Sequence, residues 1–300
     1  MSITAEVVRQ LREETGAGMM DCKAALVEAT GDMAKARDVL RKKGLAAAAK
    51  KASRTATDGA IGSHITDGAR AGSIVEINCE TDFVAKTPDF QSLVKSVALH
   101  VTTSAPKDVP ALLEQPFAGG QTLGQAVQEK IAFIKENIVV RRFARFELAP
   151  GTSGVVAAYL HPPASVGPAR VGVLVELAAE AADAATLAAL AKDVSMHVAA
   201  ASPAVALYVA KDEVPAEVLE QEKEIYRAQA LASGKPANVV DKIAEGKLRE
   251  YYATFCLLEQ PYIREPKTTV GQLLKGKALV KRFARLRLGE DPAAKPATEE

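Results

Sequence analysis

The chain carries the stretch Leu93-Val94-Lys95-Ser96-Val97-Ala98-Leu99-His100-Val101 and repeats it, with substitutions, as Leu190-Ala191-Lys192-Asp193-Val194-Ser195-Met196-His197-Val198. Three further pairs of stretches follow in the same order. They are Leu113-Glu114-Gln115-Pro116-Phe117 with Leu258-Glu259-Gln260-Pro261-Tyr262, Thr122-Leu123-Gly124-Gln125 with Thr269-Val270-Gly271-Gln272, and Arg142-Phe143-Ala144-Arg145 with Arg282-Phe283-Ala284-Arg285. Four echoes in one order predict two α+β halves with the same topology.

The two halves differ by an insertion in the second. His100 and Leu113 are 13 positions apart, whereas His197 and Leu258 are 61 positions apart. Within the excess, residues 216–233 and 237–255 are predicted to be helices on either side of a Gly/Pro turn at 234–236. Two long helices joined by such a turn predict a protruding antiparallel hairpin, placed at about 211–256.

Residues 4–44, ahead of the repeat, predict three short helices. Thr4 is expected to cap the first, Gly16 and Gly31 lie at the ends of the first two, and Gly44 is expected to end the third. The pattern is typical of a small bundle of the ubiquitin-associated type. The predicted α+β chain divides into the bundle and a linker rich in Ala and Lys (1–54), a first core half (55–149), a second core half with the hairpin (150–288) and a disordered tail (289–300).

Composition narrows the class of protein. The hydrophobic fraction of 48% and charged fraction of 25% are ordinary for a globular protein. With 38 basic and 37 acidic residues, the net charge of +1 argues against binding driven by phosphate neutralisation. The three cysteines are too few and too scattered for a disulfide framework. No apolar signal core opens the chain and no run approaches the ~20 apolar residues of a membrane span, so a cytoplasmic protein is expected.

Signals of enzyme chemistry are weak. The run from Gly271 to Ala278 nearly spells a phosphate-binding loop, but Ala278 replaces the hydroxyl residue that ligates magnesium, and no buried strand is expected before it. The four histidines lack partners at metal-ligand spacing, and no nucleophile and base fall into a recognisable arrangement. We therefore expect no covalent catalysis, no cofactor, no metal site and no direct nucleotide binding.

The segment Glu76-Ile77-Asn78-Cys79-Glu80-Thr81-Asp82-Phe83-Val84-Ala85-Lys86 places an acid beside a large aromatic residue where a predicted strand ends. We expect Asp82 and Phe83 to lie in a loop before Pro88. Residue chemistry leaves two interpretations open. The segment is either a strand cap with Phe83 in the local core, or a rigid tip that offers an anion and an apolar wedge to a partner.

This segment resembles a signature of the elongation factor Ts family. The run from Leu11 to Leu26 is similar to that family's other signature, and the small bundle, duplicated halves and inserted hairpin match its plan. The resemblance covers nearly the whole chain apart from the acidic tail. It implies a guanine nucleotide exchange factor that binds elongation factor Tu, GDP-bound and nucleotide-free, and promotes GDP release so that GTP can rebind.

The resemblance also implies which residues meet the partner. The tip residues Thr81, Asp82, Phe83 and Val84 would dislocate magnesium from elongation factor Tu, with Asp82 and Phe83 intruding beside the metal-binding part. Further contact positions are matched by Arg12, Met19, Met20, Ile134 and His161. Around the last two the chain departs from the family, since Lys135 stands where many members have glycine and the loop 162–168 contains additional Pro, Ala and Ser. By residue chemistry alone, Arg12 can also be a solvated charge and the methionines core residues, although two adjacent methionines cannot both face one helical stripe.

Two other functions stay open at this point. A basic cluster could bind RNA or the ribosome, although a solvated helix end and linker explain it more simply; it comprises Arg41, Lys42, Lys43, Lys50, Lys51 and Arg54. An enzyme that uses a nucleotide directly is the other alternative. The sequence leaves the oligomeric state open, including a homodimer or a dimer of heterodimers with elongation factor Tu.

Overall fold

The computed structural model describes residues 3–163 and 165–290. The predicted disordered tail therefore lies, from residue 291 on, outside the described residues. The amino-terminal helices are α1 Ala5–Thr15, α2 Met19–Glu28 and α3 Met33–Lys51. The first half contains β1 Asp58–Ile65, β2 Ala71–Cys79, α4 Asp82–Ala85, α5 Pro88–Ser104, α6 Val109–Glu114, α7 Leu123–Ile134 and β3 Val139–Glu147. The second half contains β4 Gly154–His161, β5 Val171–Ala179, α8 Ala184–Ala200, α9 Ala216–Ala232, α10 Ala237–Phe255, β6 Pro261–Tyr262, β7 Glu265–Thr269, α11 Val270–Leu274 and β8 Ala278–Arg287.

The three amino-terminal helices surround a small apolar core of their own. Thr4 caps α1 by accepting a hydrogen bond from the backbone N–H of Val7, and Gly16 ends it with a left-handed φ of 65°. Leu11, Cys22 and Leu26 are fully buried between the helices. The predicted three-helix bundle is confirmed.

The expected end of the third helix at Gly44 is wrong, because α3 continues to Lys51. The alanines that follow Gly44 are strong helix formers and carry the helix past it. A Cβ on Gly44 would lie 3.0 Å from the Cβ of Ala132 on α7, so glycine here lets two helices approach closely. The segment predicted as a linker is therefore mostly helix, and its Ala48 is buried in the core of the first half.

Each half of the core has an antiparallel three-stranded sheet, in the order β1-β2-β3 in one and β4-β5-β8 in the other. Glu76 pairs with Arg142 and Glu176 with Arg282, and both ladders are irregular at the next residue. The apolar faces of α5 and α8, which carry the opening repeat, cover one face of their sheets. The other faces pack against each other through Ile61, Ile74, Val156 and Leu174, among others. The duplicated α+β core is confirmed.

The echoed Arg-Phe-Ala-Arg motif binds the two sheets together. Arg142 Nε donates to Glu76 at 2.7 Å while its Nη2 donates to the carbonyl of Arg287 at 2.9 Å. In the second half, the equivalent Arg282 donates from Nε to Glu176 at 2.6 Å and from Nη2 to the carbonyl of Glu147 at 3.2 Å. Each arginine thus reaches from its own sheet to the other one.

The echoed Thr-x-Gly-Gln motif is a helix start. Thr122 with Gln125, and Thr269 with Gln272, form capping boxes at the first turns of α7 and α11. The strand before Gly271, β7, is largely exposed, unlike the strand before a phosphate-binding loop. The likeness to a nucleotide-binding motif is therefore explained by a repeated helix cap.

The insertion forms the predicted helical hairpin. The helices α9 and α10 run antiparallel around Gly234, which adopts a left-handed φ of 74°. Ala230, Val240, Ala244 and Leu248 are buried, and Arg227 pairs with Asp241 across the hairpin at 2.7 Å. Nowhere in 3–163 or 165–290 does a helix have the length and apolar character needed to cross a membrane.

Candidate partner-binding tip

The segment after β2 forms a short helix, so the expected loop at Asp82 and Phe83 is wrong. Thr81 is extended and caps α4 by accepting from the backbone N–H of Val84 at 3.4 Å. Ala85 is buried and Val84 is half-buried against the core of the first half, whereas Phe83 faces outward. A single turn is too short to produce a periodic sequence pattern, which explains why the sequence predicts a loop here.

Phe83 is 80% exposed, the most exposed of the large apolar side chains among the described residues. The alternative in which Phe83 is buried in the local core is therefore wrong. Complete burial of a phenylalanine side chain is worth about 2–3 kcal/mol, and Phe83 keeps this free energy available for a partner.

Asp82 is an anion next to this apolar side chain. Its Oδ2 accepts a hydrogen bond from Lys86 Nζ at 2.6 Å, and this bond, together with the lysine charge, lowers the pKa of Asp82 below its ordinary value. Lys86 Nζ also lies 5.9 Å from the centre of the Phe83 ring. The tip therefore presents an ionised carboxylate, a paired lysine and an exposed ring on one short helix.

The amino-terminal candidates are on the surface of the bundle. Met19 and Met20, at the start of α2, are 42% and 73% exposed, so the interpretation of them as core residues is wrong. Arg12 is exposed on α1, which fits both a contact and a solvated charge. The bundle lies against the end of α7, where Lys135 Nζ is 3.7 Å from an Asp21 carboxylate oxygen.

The remaining two candidates differ in position. Ile134 ends α7, is half-buried and packs on the core of the first half. Lys135, which follows it, takes a left-handed φ of 71°, the conformation in which glycine has no Cβ penalty. His161 is exposed at the end of β4 and stacks on Tyr159, and within the described residues no hydrogen bond joins it to the tip. The structure thus places the tip, Ile134 and the bundle near one another, with His161 on the second sheet.

Two residues at the base of the tip have no counterpart in the sequence analysis. Glu136 and Asn137 follow α7; Glu136 accepts hydrogen bonds from the backbone of Glu80 and Thr81, and the backbone N–H of Asn137 donates to the Glu80 side chain. They lie more than fifty positions from the tip, so no local motif points to them. The one available signal is the comparison of the two halves, in which Gly276 takes the place of Glu136.

The described residues contain no cluster of three or more His, Cys, Asp or Glu side chains that could hold a metal ion. A cleft of about 810 Å³ lies between the bundle and α7. Its charged lining mixes both signs, with Glu14, Asp21 and Asp38 facing Arg37, Arg41 and Lys135. That lining does not form the single-sign cradle of an anionic nucleotide.

Comparison with known proteins gives one consistent result. A family model described as elongation factor Ts matches residues 80–290. The elongation factor Ts of Trichlorobacter lovleyi is 46% identical over 302 residues, covering 97% of this chain and 94% of the relative. Those of Clostridium perfringens and Methylococcus capsulatus are also 46% identical, covering 96% and 97% of this chain and 93% of each relative.

The bundle, the duplicated core and these matches define a translation elongation factor. The chain belongs to the elongation factor Ts family. Membership implies a nucleotide-exchange role in protein biosynthesis, and the way in which the chain performs that role is a separate question.

Proposed function

We propose that this chain is the guanine nucleotide exchange factor of elongation factor Tu. It binds the GDP-bound partner, disturbs the magnesium and phosphate site, and stabilises the nucleotide-free partner until GTP rebinds. The observation that supports this most strongly is the exposed pair of Asp82 and Phe83 on a short helix at the end of a buried strand. Such a pair offers a partner one charge and one apolar wedge from a fixed base.

The free energies of GDP binding and of Phe83 burial restrict how the tip can act. A nanomolar GDP complex is worth about 12 kcal/mol, whereas burial of Phe83 supplies about 2–3 kcal/mol. The wedge therefore cannot outweigh nucleotide binding by its own contact energy. It acts by displacing the magnesium ligands of the partner, since the bound metal bridges the phosphates and the switch residues. In this proposal Phe83 enters an apolar gap, Asp82 displaces a neighbouring helix, and neither residue retains the metal.

Other surfaces supply the rest of the binding energy. Met19 and Met20 are exposed, flexible apolar side chains suited to a protein contact, and Arg12 adds a charge nearby. Ile134 and His161 are proposed as further contacts on the core. The chain performs no covalent chemistry in this proposal and works in the cytoplasm.

The test is the release of a fluorescent GDP analogue from purified elongation factor Tu in a stopped-flow experiment. The protein should accelerate release by orders of magnitude and should bind neither GDP nor GTP alone in equilibrium dialysis. Linkage requires that GDP weaken the protein complex by the same factor as the protein weakens GDP binding. No acceleration at saturating protein, or tight nucleotide binding by the chain alone, would overturn the proposal.

A further inference from the structure

We propose that Glu136 is a positioning residue that holds the exchange tip in its working orientation. The inference rests on the proposed exchange function of the tip, and it names a residue outside that tip. Glu136 lies in the turn between α7 and β3, at the base of α4. It would act through Thr81, without touching the partner.

The Glu136 carboxylate makes three hydrogen bonds with the start of the tip. Its Oε2 accepts from the backbone N–H groups of Glu80 and Thr81, both at 3.0 Å. Its Oε1 accepts from the Thr81 hydroxyl at 2.6 Å. The same hydroxyl oxygen accepts the capping hydrogen bond from the backbone N–H of Val84. The carboxylate therefore orients the hydroxyl proton of Thr81 and also holds the backbone of Glu80 and Thr81. Hydrogen bonds to an ionised group are about twice as strong as neutral ones.

A second set of bonds runs in the opposite direction. Glu80 Oε1 accepts from the backbone N–H of Asn137 at 2.6 Å. Asn137 is buried, and its Nδ2 donates to the carbonyl of Arg54 at 2.8 Å. Glu136 and Glu80 thus each bind the backbone of the other's segment, and Asn137 ties both to the chain that leaves α3.

The second half of the core provides an internal comparison. The pairings Glu76 with Arg142 and Glu176 with Arg282 align β2 with β5 and β3 with β8, and this register places Gly276 at the position of Glu136. There the carbonyl of Lys277 accepts from the N–H groups of Glu180, Ala181 and Ala182, at 3.0 to 3.3 Å.

The second half also lacks a tip. Asp183 directly caps α8, and the short helix seen in the first half is missing among the described residues of this connection. Cys79 and Leu93 are 14 positions apart, whereas Ala179 and Leu190 are 11 positions apart, so the first half carries three more residues here. The carboxylate therefore occurs in the half that has the tip, and a plain backbone contact suffices in the half that does not.

The short length of α4 explains why hydrogen bonds at its base are needed to hold it. Four residues make one turn, and an isolated helix of that length is not stable in water. Phe83 is exposed and gains no orientation from packing of its own side chain. The bonds at the base, together with buried Ala85 and half-buried Val84, hold α4 on the core. We expect loss of the base bonds to let Phe83 and Asp82 change direction without unfolding the core.

The closing experiment compares Glu136→Gln and Thr81→Val with the conservative Thr81→Ser and with Glu114→Gln, which alters an exposed carboxylate of α6. GDP release is measured as a function of factor concentration, alongside amide hydrogen exchange at Glu80 and Thr81 in the free protein. For the first two variants we expect the maximal release rate to fall about tenfold or more, with a change of less than about threefold in the half-saturating concentration. Glu114→Gln should match the wild type, and Thr81→Ser, which keeps the hydroxyl, should retain more of the maximal release rate than Thr81→Val does.

In Glu136→Gln we expect the Glu80 and Thr81 amides to lose protection against hydrogen exchange. The midpoint of thermal unfolding should stay within a few degrees of wild type. Unchanged amide protection, or an unchanged maximal rate in both Glu136→Gln and Thr81→Val, would overturn the positioning role. A change confined to the half-saturating concentration would also overturn it, since that result marks a binding contact. A wild-type protein that fails to accelerate release would instead overturn the proposed function, and the amide measurement separates the two failures.

Discussion

Asp82 and Phe83 are neighbours with different physical roles. Phe83 supplies apolar surface that gains free energy only when a partner covers it, and its 80% exposure leaves little for the free protein to lose. Asp82 supplies a charge that is already engaged, since Lys86 holds its carboxylate at 2.6 Å. In a complex this ion pair must either move as a unit or break.

The Lys86 pair gives a prediction at the residue scale. Replacement of Lys86 by Met removes both the hydrogen bond and the positive charge that lower the pKa of Asp82, so that pKa should rise toward its ordinary value. Because the Lys86 and Asp82 side chains are 60% and 49% exposed, solvent screens the pair, and the free energy of unfolding should change little. An NMR titration of the side-chain carboxyl carbon of Asp82 measures the shift. Lys95→Met, on the exposed face of α5, is the control, and an equal pKa in all three proteins would contradict the assignment.

Residue chemistry alone could not have identified the whole site. The acid beside an aromatic residue at the end of a strand is visible in the sequence, but its exposure depends on Thr81 capping a turn too short to detect. Glu136 bonds to Thr81 across 55 positions, and such a contact is created by the sheet that brings β2 and β3 together. The exposure of both Met19 and Met20 is likewise a product of packing, since spacing requires only one to face outward.

At the scale of elements, each echoed sequence motif forms the same structural feature in both halves. Leu93 and Leu190 lie at equivalent positions on the apolar faces of α5 and α8. The histidines that follow both bond to the glutamine of the Leu-Glu-Gln-Pro motif. His100 Nε2 donates to Gln115 at 3.0 Å and His197 Nε2 to Gln260 at 2.9 Å. The order of these motifs was therefore sufficient to predict the duplicated fold. The sequence predicts a helix end at Gly44 because a glycine that ends a helix and one that admits a neighbouring helix look the same in sequence.

The repeated glycine of the capping boxes gives an element-scale prediction. A Cβ on Gly271 would lie 2.8 Å from the carbonyl oxygen of Leu258, and one on Gly124 would lie 3.1 Å from that of Leu113. Gly271→Ala should therefore lower the free energy of unfolding by about 1–3 kcal/mol, and more than Gly124→Ala does. Gly246→Ala is the matched control, since its added Cβ would meet nothing within 4 Å inside α10 and should stabilise the helix. Urea denaturation measures all three, and a neutral Gly271→Ala would refute the packing explanation.

The buried histidine of α8 predicts how stability depends on pH. His197 Nδ1 accepts from the backbone N–H of Ile263 at 3.2 Å while Nε2 donates to Gln260, so the ring is held neutral. Burial lowers the pKa of His197 below 6.5 in the folded protein. The unfolded chain therefore takes up a proton first as pH falls, and the stability present above about pH 6.5 should decline below it.

Urea unfolding between pH 5 and pH 8 measures this decline. His197→Gln should be less stable throughout and should show a shallower dependence on pH, because the group that titrates is gone. His161→Gln, at an exposed position, serves as the control and should keep the wild-type slope. A wild-type slope in His197→Gln would show that the pH dependence arises elsewhere.

On the scale of the whole molecule, two similar halves pack through one face of each sheet and differ in the elements attached to them. The first half carries the tip and receives α3, whose Ala48 is buried in its core. The second half carries the α9–α10 hairpin, and the reciprocal bonds of Arg142 and Arg282 join the sheets. In the proposed function, this arrangement provides the base that holds the one-turn helix against the partner. Asn137 connects the chain that follows α3 to the base of the tip, because its Nδ2 donates to the carbonyl of Arg54 and its backbone N–H donates to Glu80.

In the proposed function, Asp82 and Phe83 carry the exchange activity. The most direct measurement is the maximal rate of fluorescent GDP release from elongation factor Tu, at saturating concentrations of the wild type, of the double variant Asp82→Ala, Phe83→Ala, and of Leu231→Ala. Leu231 is 55% exposed on α9 and controls for the loss of a surface apolar side chain. We predict that the double variant folds with near wild-type stability and loses at least about 90% of the acceleration, a change of about 1.4 kcal/mol or more in the barrier, while Leu231→Ala retains it. A double variant that accelerates release as fast as the wild type would show that the exchange activity lies elsewhere.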